Sequence, residues 1–254
     1  MKNPRTLDYA ERWLRDGLEI TRPPAFFQSM DADMTRVQKL IQDAATRGLR
    51  LTYAPVLVRA AALSLARNRD LHVVVSGRKA YAPGSIDIGL SIAGEMFLAP
   101  VLVLKDAENK KLLALAREIG ARAPEARAAD RKMMAMLRNW GWVIPFSSAR
   151  KAALRILARF AGFGRKGSGT FQVSVLADVD QHMTPLFGTV GILCAGRVRD
   201  RVVAVNGRPQ VRPTITLTCC ADHRLWDGKA GERFLRGVRE ALEDDSLESE
   251  LATI

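Results

Sequence analysis

Ala221-Asp222-His223-Arg224-Leu225-Trp226-Asp227-Gly228 follows residues 214–220, an apolar and β-branched run that predicts a buried strand. A histidine just past such a strand, an aspartate four residues on and a glycine behind it form a specific arrangement. The short turn can hold the imidazole at a sheet edge. Asp227 can reach back to fix the local backbone, and Gly228 lets the chain turn tightly into the next helix. Residues 228–243 then read as a closing helix.

Working outward, residues 170–176, 191–195 and 201–205 alternate or run apolar and predict further strands. Asn206-Gly207 is a hairpin signal after the last of these. Strands are also expected at 71–76, 86–93 and 97–104, the last almost continuously apolar. A helix over 7–18 places Trp13, Leu14 and Leu18 on one side and stops at Pro23-Pro24. Residues 26–34 read as a strand leading into a helix over 34–47, ended at Gly48. Residues 55–67 form a small-residue helix suited to close packing. A helix over 107–123 is interrupted at Pro124, and another follows over 125–138. The pattern predicts one α/β domain across 1–254, with a large sheet and several helices.

The 254 residues suffice for one or two domains. With 48% hydrophobic and 26% charged residues, the composition excludes a disordered or collagenous chain. No apolar run approaches the roughly 20 residues that span a bilayer. The first turns lack the apolar core of a signal peptide. Cys194, Cys219 and Cys220 have no CxxC spacing and read as reduced, buried thiols, which predicts a cytoplasmic address. His72 and His182 carry no motif and read as ordinary. With three histidines and no acid cluster around them, no metal is expected. The net charge of +12 leaves nucleic acid, an anionic membrane surface and a phosphate-bearing small molecule open as partners. Aromatics at 6% disfavour a stacking platform, so no nucleic acid is expected.

The most biased stretch is 131–177, which has nine Lys or Arg and no Asp or Glu. It also holds Trp140, Trp142, Phe146, Phe160 and Phe163. Over 149–161 the arginines fall at 150, 155 and 159 with apolar residues between them, the spacing of a basic amphipathic helix. Residues 162–169 read as a glycine-rich hinge.

The octapeptide resembles the active-site signature of the dihydrolipoamide acyltransferases, the catalytic cores of 2-oxoacid dehydrogenase complexes. It resembles that of chloramphenicol acetyltransferase less closely; both share His-x-x-x-Asp-Gly. Ala60 to Ala66 resembles the family's alanine-rich helix, Asp87-Ile88-Gly89 its following strand, and Pro100-Val101-Leu102 the strand after that. Gly169-Thr170-Phe171-Gln172-Val173-Ser174 resembles the strand that ends in a functional serine. The resemblance runs over roughly residues 10–245 in the family's order.

The resemblance implies a chloramphenicol acetyltransferase-like two-layer α/β sandwich with a large mixed sheet and helices, forming a homotrimer. It implies acyl transfer between coenzyme A and a thiol acceptor such as dihydrolipoamide, by direct transfer. His223 would be the general base, since imidazole titrates near neutrality. Ser174 of a neighbouring subunit would donate to the oxyanion, worth a few kcal/mol. Asp227 and Gly228 would be structural. Coenzyme A or acyl-coenzyme A would be substrate, and the basic charge suits its phosphates. No lipoyl domain and no peripheral-subunit-binding domain is expected. The lipoyl group or an acyl carrier protein would then come in trans, or the acceptor is something else.

Some positions depart from the family. Val175 and Ala177 stand where its Asn and Gly follow the serine, and Ala25 stands where it has a histidine. The arginine that pairs with the motif aspartate would be Arg5, Arg12 or Arg15. The tail from Ser246 on is more acidic than the leucine-rich tails of the family. The basic aromatic stretch, about 131–168, reads as an insertion: a lid over an acyl channel, a docking surface or a membrane-surface helix, with partner contact through 138–166. Two other functions fit the same fold: acyl transfer to an alcohol or amine, and a non-enzymatic trimeric scaffold or membrane-associated subunit.

Overall fold

A computed structural model describes residues 8–20, 24–76, 79–92, 99–159, 167–186 and 189–252. Asp8 and Glu11 open the first helix with a capping box. The Glu11 N–H donates to Asp8 Oδ1 and the Asp8 N–H to Glu11 Oε2, both at 2.8 Å. In chain order the elements are α1 (Tyr9–Ile20), β1 (Ala25–Asp33), α2 (Thr35–Thr46), α3 (Tyr53–Arg67), β2 (Val74–Ser76) and β3 (Lys79–Tyr81). Then come β4 (Ile88–Ser91), β5 (Val101–Leu104), α4 (Leu112–Trp140), α5 (Ser147–Arg159), β6 (Phe171–Val175), β7 (Gly191–Ala195) and β8 (Arg199–Val205). β9 (Arg208–Asp222), α6 (Gly228–Glu243) and α7 (Ser246–Ala252) complete the fold.

A seven-stranded mixed sheet runs β1-β9-β7-β6-β4-β5, with β8 paired to β9. β6 is parallel to both β4 and β7, and the other pairs are antiparallel. One sheet face carries Ile88, Leu90, Phe171, Val173, Leu193, Leu217 and Cys219 into the main core with α3 and α6. There α3 packs as its small residues predict: Ser64 Oγ donates to the Phe234 carbonyl at 2.8 Å, and a Cβ on Gly237 would lie 2.5 Å from Ser64 Oγ. The other face has only a small apolar cluster of Leu186, Ile192, Cys194 and Cys220. Cys219 and Cys220 thus divide between the two faces. Burial raises both thiols, Cys220 to about 12, so they pack rather than react.

Several expected boundaries differ. β9 begins at Arg208 because Asn206 (φ 50°) and Gly207 (φ 74°) close a tight turn that pairs Val205 with Arg208 and continues to Arg199 with Thr214. Residues 69–71 form a 3-10 turn, which leaves β2 only Val74–Ser76. Another 3-10 turn, Ala107–Asn109, precedes α4. The break expected at Pro124 is absent, and α4 runs through it for 29 residues. One proline removes one backbone bond, while the alanine-rich flanks favour helix and Leu112, Leu115 and Met134 anchor both ends.

The acidic tail folds back as α7. Leu247 and Leu251 are buried, and Glu250 accepts from Arg59 Nη2 at 2.6 Å and from the Leu112 N–H at 2.7 Å. Arg150, one of the arginines of the expected basic amphipathic helix, is buried. Its Nε donates to Asp16 at 2.6 Å and its Nη1 to the carbonyls of Ile144 and Pro145. Lys151 pairs with Glu19. α5 therefore turns its basic side partly onto α1. Most of the expected hinge, 162–166, and residues 97–98 lie outside the described residues.

Candidate active site

The turn after β9 is built on Asp222. Its carbonyl accepts from the N–H groups of Leu225 and Trp226, both at 3.0 Å. Its carboxylate takes both the backbone and the guanidinium of Arg224. Burial alone would raise the Asp222 carboxyl, but Arg224's hydrogen bonds and charge outweigh it and hold it below the usual range. Trp226 is buried, packs with Phe171 and Phe234, and donates Nε1–H to the Leu71 carbonyl at 2.9 Å. These contacts pin the loop without involving the His223 side chain.

His223 donates its backbone N–H to the Pro24 carbonyl at 2.7 Å, and its ring lies against Phe26 at 4.9 Å. Nδ1 stands 3.1 Å from the Trp226 carbonyl. A carbonyl only accepts, so this contact places the proton on Nδ1 and leaves Nε2 with a lone pair. The ring is exposed and opens on a groove lined by Asp70, Leu71, Arg224, Leu225, Lys229 and Arg233. Arg233 bonds Asp70 at 2.8 Å and holds that carboxyl below its ordinary value.

Asp227 reaches forward, not back: its Oδ1 accepts from the Ala230 N–H at 2.8 Å and caps α6. The turn does not require a glycine at 228. Gly228 lacks a positive φ, and an added Cβ would come no nearer than 3.4 Å to Gln28. Of the arginines expected for Asp227, Arg12 lies over Tyr9, Arg15 pairs with Glu19, and Arg5 is outside the described residues.

Ser174 sits on β6, buried, on the sheet face away from the helices. Its strand is fixed by two backbones in close contact. Gly169 has φ +72°, and a Cβ there would lie 2.4 Å from the Asp87 carbonyl. Thr170 donates its N–H to that carbonyl at 2.6 Å, and its Oγ1 meets the Asp87 N–H and His72 Nε2. The glycine-threonine pair thus sets the β4–β6 register.

The structure does not bring Ser174 and His223 together within one chain. Ser174 is in register with Cys194, and Cys194 with Thr218. His223 lies five residues beyond Thr218, so ideal strand spacing of roughly 3.4 Å per residue and 4.8 Å per strand puts the two backbone positions about 20 Å apart. Ser174 Oγ instead meets His182 Nε2 at 3.0 Å. Burial holds His182 below the usual imidazole value, and its Nδ1 is buried without a partner among the described residues. Sequence reasoning gave His182 no role. Only its position eight residues after Ser174, across a loop, could have suggested the pair. Among the described residues no group of three or more His, Cys, Asp or Glu could hold a metal ion.

The cubic core of a pyruvate dehydrogenase multienzyme complex superposes with a TM-score of 0.73 at 20% identity, covering 99% of this chain and 94% of that one. A probable dihydrolipoamide acetyltransferase from Listeria monocytogenes gives 0.71, also at 20% identity, over 95% and 94%. In sequence, the chain is 26% identical over 200 residues to the dihydrolipoyllysine-residue succinyltransferase component of the 2-oxoglutarate dehydrogenase complex of Azotobacter vinelandii, covering 78% of this chain and 42% of that protein. It is 26% identical over 229 residues to the lipoamide acyltransferase component of the branched-chain alpha-keto acid dehydrogenase complex of Bacillus subtilis, covering 88% and 47%. The chain spans less than half the length of these relatives. The family model for the catalytic domain of 2-oxoacid dehydrogenase acyltransferases matches residues 19–136 and 166–248. The chain therefore belongs to the 2-oxoacid dehydrogenase acyltransferase catalytic-domain family. Residues 137–165, within the basic aromatic stretch, lie between the two matched parts.

Proposed function

We propose that this chain is an acyltransferase that moves an acyl group between coenzyme A and a thiol acceptor such as dihydrolipoamide. The observation that carries the reading is His223: Nδ1–H bonded to the Trp226 carbonyl, Nε2 left basic, and the ring open to a groove rather than buried. Nε2 takes the thiol proton, the thiolate attacks the thioester carbonyl, and the oxyanion needs a donor within hydrogen-bond reach; the intermediate then collapses by breaking the original C–S bond, and the departing thiolate takes the proton back from Nε2. Ser174 of a neighbouring subunit supplies it in a homotrimer. The distance between Ser174 and His223 in one chain supports a site shared between subunits. In the tautomer that carries its proton on Nε2, His182 donates to Ser174 Oγ and leaves the serine proton free for the oxyanion. Asp227 holds the helix cap and moves no proton. The cations Arg224 and Lys229 at the groove suit the phosphates of coenzyme A.

The test incubates the full chain with a panel of acyl-coenzyme A thioesters and dihydrolipoamide, followed by mass spectrometry beside His223→Ala. Acyl-lipoamide that forms with wild type and vanishes in the variant is the expected result. No transfer with coenzyme A still bound would point to an alcohol or amine acceptor. Loss of coenzyme A binding as well would point to a non-enzymatic scaffold.

A further inference from the structure

The last turns of α4 and the corner after it carry an apolar surface that the described chain does not cover. Met133, Met136 and Trp140 fall at i, i+3 and i+7 on one helix face and are 48%, 54% and 66% exposed. Trp142 and Phe146 continue the surface around the corner at 56% and 71%. The corner is braced from behind. Trp13 Nε1 donates to the Gly141 carbonyl at 3.2 Å, and a Cβ on Gly141 would lie 2.9 Å from Tyr9 Cβ. Arg150 holds the Ile144 and Pro145 carbonyls and is itself fixed by Asp16. The aromatic side chains therefore project from a fixed backbone.

The charge around this surface has one sign in excess. Residues 131–177 contain no carboxylate. On α1 and its cap, Asp8, Asp16 and Glu19 are paired with Arg138, Arg150 and Lys151 of this stretch. Lys132 and Arg155 are exposed and have no carboxylate partner among the described residues. Tryptophan with phenylalanine at a projecting turn, beside unpaired cations, is the composition that seats in the headgroup layer of an anionic bilayer. Most of this corner also lies in 137–165, between the two parts of the chain matched to the family model.

We propose that this corner docks on an anionic lipid surface, with Trp140, Trp142 and Phe146 in the headgroup layer and Lys132 and Arg155 against lipid phosphates. The contact is peripheral: among the described residues no helix is long and apolar enough to cross a membrane. It is independent of the chemistry at His223.

The experiment is co-sedimentation of the full chain with phosphatidylcholine vesicles, with and without about 30% phosphatidylglycerol, at low and high salt. Binding is expected only with the anionic lipid, and it weakens as salt rises. Trp140→Ser/Trp142→Ser/Phe146→Ser and, separately, Lys132→Glu/Arg155→Glu should each lower the partition coefficient about tenfold or more. All five positions are exposed, and an unchanged circular dichroism spectrum checks that the variants fold. Absence of binding, or binding that both variants retain, overturns the proposal. So does a wild-type oligomer that the aromatic variant dissociates, which would assign the surface to contact between copies of the chain.

Discussion

Replacing Asp227 in two ways separates a cap from a proton carrier. Its Oδ1 makes one hydrogen bond, 2.8 Å from the Ala230 N–H, at the first turn of a 16-residue helix. Removing such a cap costs about 1 kcal/mol, within a range of roughly 0.5–2. The helix does not unravel further, because Phe234, Leu235, Val238, Ala241 and Leu242 are buried along it. Asp227→Ala should therefore lower stability by about 1–2 kcal/mol, a fall in Tm of about 2–8 °C for a chain this size. Asp227→Asn keeps an oxygen acceptor at the cap and loses only the favourable charge at the helix start, about 0.3–1 kcal/mol. Trp226, whose carbonyl orients His223, directly precedes Asp227. The alanine variant should therefore lose activity through a loosened imidazole, and the asparagine variant should keep most of it. The assay is differential scanning calorimetry paired with acyl-transfer kinetics on both proteins. An asparagine variant with wild-type Tm and no activity would refute the cap reading and require the carboxylate itself in the chemistry.

Other outcomes follow from the same contacts. His182→Ala should lower kcat while KM stays near wild type, because His182 touches Ser174 and the proposed gain is in the transition state; a change confined to KM would contradict this. Arg150→Met leaves the buried Asp16 without its cation and should cost about 3–5 kcal/mol in urea unfolding, with Asp16→Asn/Arg150→Met recovering part of it. Burial would raise the Asp16 carboxyl, but its bonds to Ser147 and Arg150 hold it below its ordinary value. That depressed value means its contribution is complete above about pH 4 and is lost as pH falls through the folded value. Asp16→Asn should therefore flatten the dependence of Tm on pH at the acid end. Gly169→Ala puts a methyl 2.4 Å from the Asp87 carbonyl at φ +72°, and should cost more than the roughly 1 kcal/mol of the backbone preference alone, read as a drop in Tm.

The closing helix was legible to the residue, since Gly228 opens a strongly amphipathic run, whereas the forward cap by Asp227 was read as a contact reaching back. The Asn206-Gly207 turn was equally plain, but β9 was read too short. Arg208, Gln210 and Arg212 look like loop residues until β8 is known to lie beside them. Pro124 misled because a local breaker was weighed without the two buried ends that hold α4. The burial of Arg150 was not legible for a related reason: it depends on Asp16 in α1, 134 residues away. His223 was readable from its neighbours in sequence. The Ser174–His182 contact was not, because a loop brings the pair together and no local pattern encodes it.

The parallel pairing of β4 with β6 bears on how the chain tolerates extra length. Parallel neighbours cannot be joined by a tight turn, so the path from one to the other was obliged from the start to be long. Loop-closure entropy grows only with the logarithm of length, about 0.6 kcal/mol for each doubling. A few tens of residues added to an already long crossover therefore disturb the sheet very little. The stretch between the two family-matched parts lies in that crossover. Added sequence is accommodated there at small entropic cost, while the register held by Gly169 and Thr170 keeps Ser174 where it is.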